Sequence, residues 1–278
     1  MAHQDRRVAY RKFAALGDSF TEGLEDQSRA DGRHRGWADR VADRLAARSD
    51  GLAYANLAVR GRLVADVIEE QVPRAVAMTP DLVTLGAGVN DTLRPRFDLR
   101  AAATAMDRGV RLLRGGGADV LLFTFGDPSR RSRVMRPVAD RIRALNSAVE
   151  AIADRYGCRR VNFWDVAAFD DPQLWSDDWL HLAPAGHELV AEMVLAALDG
   201  VPGYRPTPPV PRPRESLRVR ARSNARWTRE HLAPWVLRRV RGQSSGDEIG
   251  PKQAEWVVWR PGTAPSSPGD AIGGAVHR

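Results

Sequence analysis

The feature that most constrains this chain is an alternation over its first 200 residues. Short apolar runs of strand length alternate with longer segments of helical period. The runs cover residues 13–16, 54–57, 82–85, 120–125 and 160–163. Residues 37–48, 63–77, 98–114, 134–156 and 184–198 instead repeat apolar residues at helical spacings. Trp37, Val41 and Leu45 show this in the first, and Ile142, Leu145, Val149 and Ile152 in the fourth. Gly115-Gly116-Gly117 and Gly157 stop two of these helices, and Pro184 suits the first turn of the last. The alternation predicts a parallel sheet with helices on both faces, joined by right-handed crossovers. In such sheets functional groups gather beyond the carboxyl ends of the strands.

A hydrophobic content of 43% over 278 residues suffices for one large α/β domain with chain left over. Cys158 is the single cysteine. That rules out an internal disulfide and cysteine-rich metal sites, and it fits a reducing compartment. The residues before the first strand lack the apolar stretch of a secretory leader. No apolar run reaches the length of a bilayer span. A cytoplasmic protein without a transmembrane segment is the expectation.

From residue 201 the composition changes. Pro202, Pro206, Pro208, Pro209, Pro211 and Pro213 mark an extended linker. Residues 214–241 have helical potential interrupted at Pro234, and residues 243–278 are rich in Gly, Pro and Ser, as disordered segments are. The expected division is therefore a domain over 1–200 and a Pro/Arg-rich extension over 201–278, partly helical and partly disordered. The net charge of +7 is uneven: residues 201–278 carry 14 Lys/Arg against 6 Asp/Glu, residues 1–200 carry 28 against 29. Eleven arginines lie between Val201 and Arg241, interleaved with Trp227 and Trp235. Such a patch suits phosphates of nucleic acid or an anionic membrane. Folding back along the first domain or plain solvation is the favoured reading of this stretch.

The chemistry-bearing residues fall at strand ends. The first strand stops at Gly17-Asp18-Ser19, where glycine permits a tight turn and Ser19 stands at a helix start. A serine there either caps the helix or presents its hydroxyl as a nucleophile beside backbone donors. The second strand leads to Gly61, an ordinary turn glycine or a close backbone donor. The third leads to Asn90, a turn residue or a neutral side-chain donor. Before the last helix, Asp178 and His181 are three apart, a spacing that on a helical turn puts both side chains on one side. A carboxylate there fixes the imidazole tautomer and makes the histidine a competent base; a helix-start Asp and a surface His is the alternative. Asp177 is a second choice by spacing. His187 falls within the last helix and reads as structural. These residues lack the ligand spacing of a zinc site.

Together Gly17-Asp18-Ser19 with Gly23, then Gly61, Gly88-x-Asn90-Asp91 and Asp178-x-x-His181 occur in order on an α/β pattern. This set resembles the SGNH hydrolase, or GDSL esterase/lipase, family over about residues 11–199. Phe20 stands where the eponymous motif has leucine. The resemblance implies a flavodoxin-like three-layer α/β/α sandwich with five parallel strands in order 2-1-3-4-5. It implies Ser19 as nucleophile, His181 as general base and then acid, and Asp178 as the group orienting His181. The implied oxyanion hole comprises the backbone N–H groups of Ser19 and Gly61 and the Asn90 amide. No metal or organic cofactor is implied, and the implied partner is a small-molecule acyl ester.

Substrate is less legible. The family includes lipases, lysophospholipases, thioesterases and carbohydrate deacetylases. Trp175 and Trp179 flank the Asp178–His181 segment and either border an acyl or sugar pocket or anchor the core. Arg94 and Arg96 follow Asn90 and either line the mouth, favouring an anionic substrate, or are solvated. Without a long lid, a small or soluble ester is expected. The rival expectation is a binding protein working through its basic tail on nucleic acid or an anionic membrane.

Overall fold

The structure, a computed structural model, describes residues 9–29, 32–49, 51–131, 133–201, 204, 206 and 249–260. The basic run between residues 207 and 248, with its expected helix, lies outside the described residues.

Six strands form one sheet: β1 (Lys12–Gly17), β2 (Leu52–Asn56), β3 (Leu82–Gly86), β4 (Asp119–Thr124), β5 (Arg159–Asn162) and β6 (Gln253–Trp259). Their order is β5-β4-β3-β1-β2-β6. The first five pair in parallel, in the expected order. The helices are α1 (Ser19–Glu22), α2 (Gly36–Ala46), α3 (Val64–Asp66), α4 (Val72–Met78), α5 (Val89–Thr92), α6 (Leu99–Gly115), α7 (Arg136–Tyr156) and α8 (Pro184–Leu198).

The strands divide their side chains between two cores, as a period of two requires. In β1, Phe13 and Ala15 join the core under α2 and α8. Ala14 and Leu16 join the core under α3, α4 and α6. The stripe predicted from Trp37, Val41 and Leu45 is fully buried on the first side. Helix α7 sends Ile142 to the first core and Leu145, Val149 and Ile152 to the second.

Two features differ from expectation. The sheet has six strands rather than five, and the sixth comes from the stretch expected to be disordered. Strand β6 runs antiparallel on β2. Its Trp256-Val257-Val258-Trp259 run has the aromatic and β-branched character of a strand. Trp259 is buried, packs edge-on to Tyr54 at 4.9 Å and donates from Nε1 to Asp43 at 2.7 Å. Lys252, just before β6, donates from Nζ to the carbonyls of Glu22, His34 and Arg35 at 2.7, 2.9 and 2.9 Å, and to Asp39 at 3.1 Å.

The second difference lies in the helix expected over 63–77. It forms, but with a π-helical turn at Val67–Gln71 between α3 and α4. Pro73 explains it: the ring lacks an N–H and crowds the carbonyl four residues back. The wider turn brings Gln71 to the end of β1. There its Oε1 accepts from Gly17 N–H at 2.8 Å and its Nε2 donates to Gly17 C=O at 2.9 Å.

Candidate active site

At the carboxyl end of β1 the chain turns abruptly at Gly17. Gly17 faces Gly86 of β3 in register, and a Cβ on it would lie 2.2 Å from the Gly86 carbonyl oxygen. Only glycine fits so close an approach. Asp18, not Ser19, caps α1, accepting from Phe20 N–H at 3.0 Å. The alternative reading of Ser19 as the cap therefore does not hold, and its hydroxyl is left for another partner. Phe20, the departure from the eponymous motif, packs among Trp37, Phe123, Phe125 and Phe163 with centroids 5.2 to 6.0 Å apart. These rings fix α1 on the sheet.

Ser19 Oγ lies 3.0 Å from His181 Nε2, and His181 Nδ1 lies 2.5 Å from Asp178 Oδ2. The carboxylate can only accept, so Nδ1 carries the proton and Nε2 of the neutral ring accepts from the serine hydroxyl. Burial pushes the Asp178 carboxyl up. Hydrogen bonds from the His181 ring and backbone and from Ser176 Oγ outweigh it and hold the group well below the usual carboxylate range.

The spacing of three does bring Asp178 and His181 together, but not on a helical turn. The segment is a loop closed by a bridge between Trp175 and Leu182 and by the Ser176 N–H to His181 carbonyl bond at 2.9 Å. Asp178 Oδ1 accepts from the N–H groups of Leu180 and His181, both at 2.9 Å, folding the backbone around the carboxylate. Trp179 takes φ 56°, a left-handed conformation uncommon outside glycine and asparagine.

Asn90 is the second residue of α5, which is entered through Gly88 at φ 118°. Its Nδ2 donates to Asp18 Oδ2 and to the Arg62 carbonyl, both at 3.1 Å. Gly61, at φ 79°, precedes Arg62 and follows Arg60, whose side chain and N–H are bonded to Glu22 of α1. Ser19, Asn90 and His181 line one cavity of about 140 Å³, walled by Phe125, Phe163, Phe169, Trp175 and Trp179. Both tryptophans thus border the pocket. Gly61, Arg94 and Arg96 are not among its lining residues.

His187 is buried and is itself one of the residues lining this cavity. Its Nδ1 accepts from Trp37 N–H at 3.2 Å, so Nε2 carries the proton and donates to the Leu24 carbonyl at 3.1 Å. Burial pushes it down from 6.5 to about 4, despite the neighbouring Asp26. It is a neutral structural histidine. Gln71 is the site-supporting residue that sequence reading missed, because it carried no local signal. Asp18 stands in its motif, where it is expected to hold the turn rather than do chemistry, and as the cap of α1 it does so.

Among the described residues no three His, Cys, Asp or Glu side chains converge as metal ligands would, and no helix is long and apolar enough to cross a membrane.

Among curated proteins none is similar enough to count as a relative of this chain. Solved structures of similar fold exist. The chain resembles TesA with 22% identity and a TM-score of 0.58, covering 68% of this chain and 98% of that one. It resembles a lipase/acylhydrolase from Enterococcus faecalis with 22% identity and a TM-score of 0.55, covering 68% and 96%. It also resembles a variant of Axe2, an acetyl xylan esterase from Geobacillus stearothermophilus, with 20% identity and a TM-score of 0.58, covering 71% and 96%. At these identities the likeness concerns the fold. The family assignment rests on the model of the GDSL-like lipase/acylhydrolase family, which matches residues 15–189. The chain belongs to the GDSL-like lipase/acylhydrolase family and is a carboxylic ester hydrolase.

Proposed function

We propose that this enzyme hydrolyses small acyl esters through Ser19, His181 and Asp178. The observation that carries the reading is the continuous chain of hydrogen bonds from Ser19 Oγ through the imidazole to the Asp178 carboxylate. Ser19 Oγ attacks the ester carbonyl while His181 Nε2 takes its proton. Asp178 stabilises the imidazolium and holds its tautomer. The imidazolium then protonates the departing alkoxide, leaving an acyl group on Ser19. Water, deprotonated by the same nitrogen, attacks that acyl group and restores the serine.

The tetrahedral oxyanion is held by the backbone N–H groups of Ser19 and Gly61 and by the Asn90 amide. These donors are neutral, so no proton has to move for them to act. The cavity of about 140 Å³ and its aromatic wall favour a short acyl group over a long chain.

The test is turnover of aryl esters of rising acyl length by the wild type and by Ser19→Ala. Turnover of short esters that disappears in the variant is expected. An ester-hydrolysing Ser19→Ala protein would overturn the assignment.

A further inference from the structure

One cation stands in the wall of the ester pocket with no carboxylate paired to it among the described residues. Arg131 lines the cavity, and its guanidinium stacks over the Trp175 ring at 3.7 Å. One N–H goes to the Phe169 carbonyl at 3.2 Å, the same oxygen that takes Trp175 Nε1–H at 2.8 Å. A guanidinium has five N–H donors in a fixed fork. The stack and the single carbonyl therefore leave most of its donor capacity unspent.

Several arginines of similar burial are paired with carboxylates. Arg40 meets Asp26 and Glu188, Arg60 meets Glu22, and Arg29 meets Asp39. Arg141, like Arg131, reaches only backbone carbonyls but lies outside the pocket. No carboxylate lies within ion-pair distance of Arg131 among the described residues. The two acids that act on it from further off are engaged elsewhere. Asp127 accepts from Ser129 N–H at 2.8 Å, and Asp170 lies 3.5 Å from Arg130. Burial lowers Arg131 to about 10, against the pull of those two acids, so it remains a cation at neutral pH. A buried charge without a partner is costly, and the cost is relieved when an anion enters.

We propose that Arg131 is the anion-binding residue of this pocket, and that the preferred substrates are esters carrying a carboxylate or a similar planar anion. The guanidinium fork matches a carboxylate in a two-bond geometry, and its stacking on Trp175 fixes the plane in which the anion is met. The proposal rests on the ester-hydrolase reading of the same cavity. The anion is carried either by the acyl part or by the alcohol part of the ester.

The test compares matched pairs. On the acyl side, an aryl hemisuccinate is set against the aryl ester of a neutral acid of the same shape. On the alcohol side, the acetate of a hydroxybenzoate is set against the acetate of the corresponding neutral phenol. The wild type is expected to show a higher kcat/KM for the charged member of one pair, and that pair identifies the side. Arg131→Gln is expected to lower the charged-to-neutral ratio about 10- to 100-fold, as loss of hydrogen bonds to a charged group does. Arg131→Lys, which keeps the charge but not the fork, is expected to fall between. Ser19-dependent turnover with a ratio that Arg131→Gln leaves unmoved overturns this proposal and leaves the esterase reading standing. Absence of Ser19-dependent turnover on all four esters overturns both. If Arg131→Gln does not fold, the wild-type ratios decide: charged esters no faster than their neutral partners overturn the assignment.

Discussion

Asn90 Nδ2 donates to Asp18 Oδ2 at 3.1 Å, joining residues 72 apart in sequence. The same carboxylate caps α1 through Phe20 N–H, so one buried side chain fixes both the helix that carries Ser19 and the amide proposed for the oxyanion hole. The Arg62 carbonyl takes the other Asn90 N–H. Both amide N–H groups are thus engaged in this structure, so in the proposed role the oxyanion takes the N–H that the Arg62 carbonyl gives up, while Asp18 keeps the amide oriented.

The first prediction follows from this link. Asn90→Ala should lower kcat on the order of 100-fold or more without unfolding the protein. Asp18→Ser keeps a residue able to cap α1 but removes the acceptor for Asn90. It should lower kcat about 10-fold with little change in KM. In the double variant the losses should not add, because both act through one amide. A fully additive cycle would show that Asp18 acts on something other than Asn90.

Gln71 supports the same turn from beneath. It holds both backbone groups of Gly17, and the site is buried. Gln71→Leu preserves bulk but leaves the Gly17 N–H without its partner. The expected loss of unfolding free energy is about 2–4 kcal/mol, from the lost hydrogen bonds and the desolvated donor together. Urea denaturation of the Ser19→Ala protein with and without the change measures it free of any effect on turnover.

What could be read from the sequence divides along the range of the interactions. The five parallel strands and the long helices were legible because hydrophobic period is local, and the residues marked as one face, such as Trp37, Val41 and Leu45, share one core. Asp178 and His181 were legible as a pair by spacing, yet the backbone between them is a loop folded around a carboxylate rather than a helical turn. Strand β6 was not legible. Its flanks are rich in Gly, Pro and Ser, and its partner β2 lies about two hundred residues earlier. Gln71 was hidden for a related reason: residues 63–77 read locally as one plain helix, and nothing local says that a wider turn before Pro73 aims a side chain at Gly17.

Lys252 gives β6 a consequence beyond the sheet edge. Its Nζ reaches the carbonyl that ends α1, two carbonyls just before α2 and the Asp39 carboxylate, in a buried position. Asp39 also accepts from Tyr54 OH at 2.7 Å. Lys252→Met should therefore cost about 3–5 kcal/mol, because it leaves three carbonyl acceptors without their donor and Asp39 with Arg29 as its one remaining cation among the described residues. Removing the chain from residue 249 onward should cost at least as much. A thermal midpoint unchanged in Lys252→Met would sink this account of the strand's attachment.

Two buried groups near the site should give opposite slopes of stability against pH. His187 is pushed down by burial from 6.5 to about 4, so between these values the unfolded chain binds the extra proton and the folded chain does not. Its contribution is whole above pH 6.5 and is lost as pH falls toward 4, by about 3 kcal/mol. Asp91 is pushed up by burial from 3.8 to about 6, against the hydrogen bond from Val64 N–H. Between those values the folded chain holds the extra proton, so stability falls as pH rises, again by about 3 kcal/mol. Asp91→Asn keeps an oxygen for Val64 N–H and removes the charge. It should stabilise the protein at pH 8 and leave it unchanged at pH 3. With the opposing slope gone, unfolding free energies of this variant measured from pH 4 to 6.5 should rise steeply with pH. A profile that stays flat over that range would mean that His187 is not held neutral by its burial.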